Sequence, residues 1–282
     1  MDTDLLKTFL EVSRTRHFGK AAENLFLTRS AVSFRVKQLE SLLGVELFER
    51  QRNNIHPTPS GERMLTHAEA VLNAWERAKQ DILLSAEKSV QLTIGAAPNI
   101  WDAYLKPHMQ GLHQHLDGVV LRTEVLPQNI LVKQLLERVL DIAISFEPPA
   151  MDEFTLVQVK EVELLLVSAA EEAITDVAEV TQYVKVDWGT AFNIKHANKY
   201  SQLPLPVLHT GTAQIGLDFI MNNQGCAFLP DYMVKPLIAD GSLQLVAGRQ
   251  SIRRSVYVAY LEQNDRLSEI EAAIHLLKKS KL

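Results

Sequence analysis

The sequence predicts an α/β protein in three consecutive parts: a small helical head, one long helix, and a larger body of strands and helices. Three observations carry this. Apolar residues recur at helical spacing as far as Leu43. A single narrow apolar seam then runs from Met64 to Ile82. From Gln91 onward, short apolar runs alternate with helical patterns, which implies parallel sheets covered on both faces. Domain limits follow at 1–58, 59–88 and 89–282. The body divides into two lobes, about 89–161 with 265–282, and about 162–264.

In the head, Leu5, Leu6, Phe9, Leu10 and Val12 place a first helix from about Asp4 to Arg14. Phe18 to Leu25 reads as a short second helix whose Ala21 and Ala22 allow close approach by a neighbour. Leu27-Thr28 breaks it, and the Thr28 hydroxyl can cap a third helix. There Val32, Val36, Leu39 and Leu43 form one apolar stripe, and Gly44 can end the helix in a left-handed conformation. Leu47–Arg50 and Asn54–His56 flank a polar turn that suits a hairpin. Three helices with a short turn between the second and third, then a hairpin, make a winged helix-turn-helix.

The long helix carries Leu65, Ala68, Leu72, Trp75 and Ile82 on its seam, with Glu69, Glu76, Arg77, Lys79 and Asp81 on other faces. A narrow seam of this length packs against a partner helix, here a second copy, or docks on the chain's own body. In the body, strands are expected at 91–96, 119–126, 140–145, 156–168, 183–187, 205–209, 225–229 and 254–261. Helices are expected at about 99–115, 128–138, 212–223, 230–239 and 266–279.

Charge separates the parts. Residues 1–58 hold nine Lys/Arg against seven Asp/Glu, out of 29 and 34 in the chain, so the head carries +2 and the remainder −7. A basic head on an acidic body is compatible with nucleic-acid binding confined to the head. The composition, 46% hydrophobic and 22% charged, is that of a folded globular chain rather than a disordered one. One cysteine, Cys226, excludes an intrachain disulfide and any multi-cysteine metal site, and its apolar surroundings suit a buried, inert thiol. The acidic start Met1-Asp2-Thr3-Asp4 is unlike a secretion signal, and no apolar run approaches the ~20 residues of a membrane span. A soluble cytoplasmic protein is expected.

Enzymatic motifs are missing from the sequence: no P-loop, no Gly-x-Gly-x-x-Gly, no Gly-x-Ser-x-Gly and no His-Glu-x-x-His. His113 and His115 fall on different faces of their helix, which argues against a metal site with His108. Paired acids such as Asp152-Glu153 and Glu171-Glu172 read as solvated surface. No catalytic residue, metal or cofactor is expected.

The head resembles the LysR-type family of bacterial transcriptional regulators. The resemblance rests on Leu5–Val12, Phe18–Ala22, Leu27–Ser33, Val36–Glu40, Leu43–Val45, Leu47–Arg50 and Pro57–Gly61, without a gap. Within the family, Arg14–Gly19 and Asp187-Trp188-Gly189 resemble the repressors of the flagellar master operon. The family implies that the third helix reads DNA, so Thr28, Arg29, Ser30, Ser33, Phe34, Lys37 and Gln38 are candidate contacts. Arg50 and Arg52 on the wing are candidates for phosphate or the minor groove. Thr58 meets the DNA backbone or caps the long helix. The pattern of this helix supports the same view: with Val32, Val36 and Leu39 inward, Ser30, Phe34, Lys37 and Ser41 face out. Serines can address base edges and Phe34 a thymine methyl. Arg29 stands where relatives often carry Gln, which favours guanine or phosphate over adenine.

The resemblance further implies a body like periplasmic binding proteins, with a small effector held between the lobes. By position, Asn99, Trp101, Gln128, Ser145, Phe146, Thr210 and Thr212 are its candidate contacts, although Ala96-Ala97 lack the hydroxyls of many relatives. Helix starts near Pro98, Gln128 and Thr212 would offer free N–H groups there. Implied partners are double-stranded DNA, further copies of the chain as a dimer of dimers, RNA polymerase and the effector, with no membrane. The outcome, repression or activation, depends on operator placement.

Overall fold

The computed structural model describes residues 2–51, 54–85 and 90–279, and the chain divides into two compact units, 1–87 and 88–282. In the first, α1 (Thr3–Thr15), α2 (Phe18–Asn24) and α3 (Arg29–Leu43) precede a hairpin of β1 (Phe48–Gln51) and β2 (Asn54–Pro57). Each helix begins on a side-chain cap: Asp2 accepts from the Asp4 amide, His17 from Lys20 and Thr28 from Ala31. Gly44 closes α3 at φ +71°, its N–H donating to Glu40 O, as the turn residue there requires. Leu5, Leu6, Phe9, Val12, Val32, Val36, Leu39 and Leu47 share one core, with Phe9 and Phe18 against Phe48.

Leu43 departs from the expected stripe: it is 44% exposed, because the core ends one turn earlier at Leu39. The long helix, α4 (Pro59–Ser85), departs more fully. Ala68 is buried in the head's own core, with Leu65 and Leu72 packed against it. Those three expected pairing residues therefore serve intrachain docking, while Trp75 and Ile82 are 50% and 70% exposed.

The second unit is built on one nine-stranded sheet with the order β4-β3-β5-β11-β6-β9-β7-β8, β10 pairing with β6. Its strands are β3 (Val90–Ala96), β4 (Val119–Val125), β5 (Ile142–Ser145), β6 (Thr155–Ser168), β7 (Tyr183–Val186), β8 (Leu208–Thr210), β9 (Cys226–Pro230), β10 (Gln244–Leu245) and β11 (Ser251–Tyr260). Two parallel triplets, β4-β3-β5 and β8-β7-β9, form the lobes. The expectation of wholly parallel sheets is corrected: β6 and β11 pair antiparallel with each other along their length, and also with β9 and β5. These two strands run through both lobes. The strand expected at 205–209 starts later, with Leu205 and Val207 exposed.

The helices are α5 (Pro98–Ile100), α6 (Met109–His115), α7 (Gln128–Leu136), α8 (Thr190–Lys199), α9 (Ala213–Asn223), α10 (Asp231–Ala239) and α11 (Leu267–Lys279). The single helix expected over 99–115 is broken: a π-turn at Trp101–Leu105 and a 3₁₀ turn at Lys106–His108 separate α5 from α6. Pro107 removes one backbone donor at the break. Sequence periodicity missed α8, whose only buried residue is Phe192, so it carries no legible stripe.

Lobe 1 is closed by a buried charge pair. Asp141, fully buried, accepts from the Thr93 amide at 2.8 Å and meets Arg266 Nη1 at 3.1 and 3.3 Å, tying the start of α11 to the sheet. Asp141→Ala should cost about 3–5 kcal/mol by removing one partner of this buried charge pair, measurable by denaturant unfolding. A second expectation concerns acid. His108 is buried, its Nδ1–H donates to Tyr104 O at 2.6 Å, and burial holds its pKa below the ordinary value. Burial lowers His196 in the same way. The unfolded chain therefore binds protons that the folded chain resists, so stability declines as pH falls below about 6.5. Melting at pH 7.5 and 5.5 should show this loss, reduced in His108→Gln.

Candidate functional sites

The first site is the outward face of α3. Its inner side is locked by Val32, Val36 and Leu39, all essentially inaccessible, which fixes the rotation of the helix. Ser30, Phe34, Lys37 and Gln38 then project to solvent, Phe34 at 67% exposure, with Arg29 exposed at the first turn and Ser33 half-buried on the flank. Thr28 Oγ1 caps the helix and lies 3.0 Å from Ser30 Oγ, so two hydroxyls meet at the exposed N-terminus. Arg35, on the same helix, is instead tied to Asp4 at 3.1 Å and belongs to the head's framework.

On the wing, Arg50 lies in β1 opposite Ile55 in backbone register, while Arg52 lies outside the described residues. Thr58 takes the capping role. Its hydroxyl donates to Glu46 O at 2.8 Å and accepts from the Gly61 amide at 3.0 Å, joining the wing to the start of α4. Both hydrogen bonds are made inside the chain, which removes Thr58 from the simplest set of DNA contacts.

The second site is a cavity of about 420 Å³ between the lobes. It opens at the C-terminal ends of the parallel strands, where this class of sheet places ligands. Asn99, Gln128, Ser145 and Phe146 from lobe 1 line it, as expected by position. Three expected residues fall elsewhere. Trp101 turns into the lobe 1 packing and donates to Glu124 O. Thr210 lines an adjoining hollow with Lys185 and His209, and Thr212 precedes α9 without a side-chain capping bond.

Sequence reasoning missed the residues that give the cavity its charge. Glu147 follows β5, and its Oε1 accepts from the Ala191 amide in the first turn of α8 at 3.0 Å. Gln128 donates to the Glu147 carbonyl at 2.8 Å, and Asn99 donates across the cleft to Asp187 O at 2.7 Å. Behind Glu147 stands Arg254 of β11, 5% exposed, with Nη2 at 3.4 Å from Glu147 Oε1 and its guanidinium over the Phe146 ring. Burial lowers the Arg254 pKa, and Glu147 opposes that shift. Beneath, the fully buried Trp188 donates to Phe228 O at 3.0 Å and meets Phe146 edge-on. Gly189 has φ +86°, and a Cβ there would lie 2.8 Å from Glu147 Oε1. The run Asp187-Trp188-Gly189 was visible in the sequence. Its link to Glu147 and Arg254 was not, because 40 or more residues separate the three segments.

Cys226 is buried and free, and burial pushes its thiol pKa up, as suits an unreactive group. Among the described residues no helix is long and apolar enough to cross a membrane.

Comparisons with known proteins match both units. Residues 3–62 match the family model of the bacterial regulatory helix-turn-helix protein, lysR family, and residues 85–281 match the LysR substrate binding domain. The HTH-type transcriptional regulator HdfR of Yersinia enterocolitica is 40% identical over 275 residues, covering 94% of this chain and 92% of the relative. HdfR of Yersinia pestis matches to the same extent. The subgroup resemblance in Arg14–Gly19 and Asp187–Gly189 points to these same relatives. Among solved structures, the LysR family transcriptional regulator CbnR superposes with TM-score 0.76 at 16% identity, over 99% of this chain and all of that one. Vibrio fischeri DarR in complex with DNA superposes with TM-score 0.63 at 21% identity, over 100% and 99% of the two chains. These structures share the fold, and the two family models with the 40% identical relative establish descent: the chain belongs to the LysR family of bacterial helix-turn-helix transcriptional regulators.

Proposed function

We propose that the chain regulates transcription in the cytoplasm by inserting α3 into the major groove of an interrupted-palindrome operator. The observation that carries this is the outward face of α3, held in rotation by three buried residues and presenting Ser30, Phe34 and Lys37. Ser30 and Ser33 hydrogen-bond base edges, and Phe34 packs on a thymine methyl. Arg29 addresses guanine or phosphate, with Lys37, Gln38 and the wing's Arg50 and Arg52 supporting. Two copies associate through the second half of α4, where Trp75 and Ile82 are exposed, and place two recognition helices a whole number of turns apart. Two such dimers make the tetramer. The domains act as a head of 1–58, a linker helix of 59–88 and an effector body of 89–282.

The interlobe cavity is where a small effector acts. It shifts the assembly only by binding one of its shapes better than another. Contact with RNA polymerase follows where the operator places the assembly beside a promoter, so repression and activation are both open to one protein.

Lys37→Ala should weaken DNA binding and reduce the salt slope by about 1, as one phosphate contact is lost. Phe34→Ala should instead relax base preference more than it weakens non-specific binding, read by competition with mutated operators. Selection from random DNA with the full-length chain, at two salt concentrations, should enrich an interrupted palindrome that survives the higher salt. Enrichment of nothing, with binding abolished by salt, would leave only electrostatic contact.

A further inference from the structure

The interlobe cavity contains the parts of an anion site. The N-terminus of α8, ten residues long, presents its first-turn amides, and a negative group is favoured at such an end. Beside it stands Arg254, 5% exposed, whose Nε has no hydrogen-bond partner. A buried guanidinium next to a helix N-terminus calls for an anion. That anion is already present in the chain: Glu147 Oε1 sits 3.0 Å from the Ala191 amide and 3.4 Å from Arg254 Nη2. Gly189 keeps the place open, since any Cβ there would press on this carboxylate at 2.8 Å. Glu147 belongs to lobe 1 and α8 to lobe 2, so the same contact bridges the lobes.

With this seat filled, the charged side chains left in the lining are carboxylates, beside neutral groups such as Ser145 and Thr190. Asn99 is oriented by its donation to Asp187 O, which leaves its Oδ1 buried and unpartnered, and Asn193 Oδ1 is likewise unpartnered. Asp187 adds a second carboxylate, and no Lys, Arg or His lines this cavity among the described residues. A free carboxylate entering here meets two like charges and two carbonyl oxygens. An amine instead meets those carboxylates and carbonyl oxygens as acceptors.

Resting on the reading of this cleft as the effector site, we propose that Glu147 is a resident carboxylate that occupies its anion seat. The cleft then rejects small carboxylates and takes a compact, hydrogen-bond-donating amine. Removing the Glu147 side chain uncovers the seat and reverses the preference.

The test compares malonate with 1,3-diaminopropane, matched in length and opposite in charge, at constant ionic strength. Thermal melting of the full-length wild type should rise by a few degrees with millimolar diamine and stay unmoved by malonate. Glu147→Ala should acquire a malonate-dependent rise. Glu147→Gln, which still fills the seat, should not. If Glu147→Ala melts too early to read, Glu147→Ser at lower temperature, with malonate binding followed by calorimetry, gives the same comparison. Malonate stabilising the wild type as strongly as the alanine variant overturns the proposal while leaving the cleft an effector site. An alanine variant that gains nothing from malonate removes the anion seat, and a wild type indifferent to the diamine removes the amine preference. Failure of both compounds in every protein overturns the effector reading of the cleft as well. DNA binding by α3 is measured separately and is untouched by any of these results.

Discussion

The C-terminal unit depends on the antiparallel pairing of β6 with β11. Ten consecutive residues of β11, Ser251 to Tyr260, find partners along β6 from Leu165 to Thr155. One end of this ribbon lies in the sheet of lobe 1, through β5, and the other in that of lobe 2, through β9. The parallel triplets do not pair with each other, and the ribbon makes them one sheet over one continuous buried core. Its register shifts between Val256 and Tyr257, next to the point where β11 begins to pair with β5. A shift of this kind sharpens local twist, which lets a continuous pair of strands serve two differently oriented lobes. Arg254 sits on this ribbon, so the charge behind the cleft is carried by the element that joins its walls.

The head solves a different problem. Three helices of modest length cannot bury much surface alone. The unit gains by recruiting the first half of α4, with Ala68 fully enclosed and Leu65 and Leu72 alongside. Side-chain caps at Asp2, His17 and Thr28 satisfy helix ends that are otherwise exposed. Rigidity here fixes the rotation of α3, and with it the angles at which its outer residues face solvent. The arrangement leaves only the later turns of α4 uncovered by the head's core. The exposed Trp75 lies within that part.

In the cleft, charge outweighs shape. Phe146 and Ile100 give the cavity apolar walls, with the buried Trp188 packed behind Phe146. What distinguishes this cavity is the carboxylate of Glu147 at a helix N-terminus with a buried arginine behind it. The charged side chains that line the cavity are therefore carboxylates, Glu147 and Asp187.

Local pattern was enough for the order of the parts, the three head helices with the Thr28 cap and the Gly44 stop, and most strands and helices of the body. It did so because each of these depends on local periodicity or on a single residue such as Thr28 or Gly44. The outward set on α3 was legible for the same reason: once Val32, Val36 and Leu39 face inward, helical geometry places Ser30, Phe34 and Lys37 outside. Helix α8 was not legible, since one buried phenylalanine makes no stripe. Only the tertiary structure decided that the long strands pair antiparallel and that half of the α4 seam is spent within the chain. It also decided that Trp101 turns into a core while Glu147, Gly189 and Arg254 converge. Those outcomes depend on contacts between segments far apart in the chain, and periodicity, which reports only the face a residue occupies, carries no information about what that face meets.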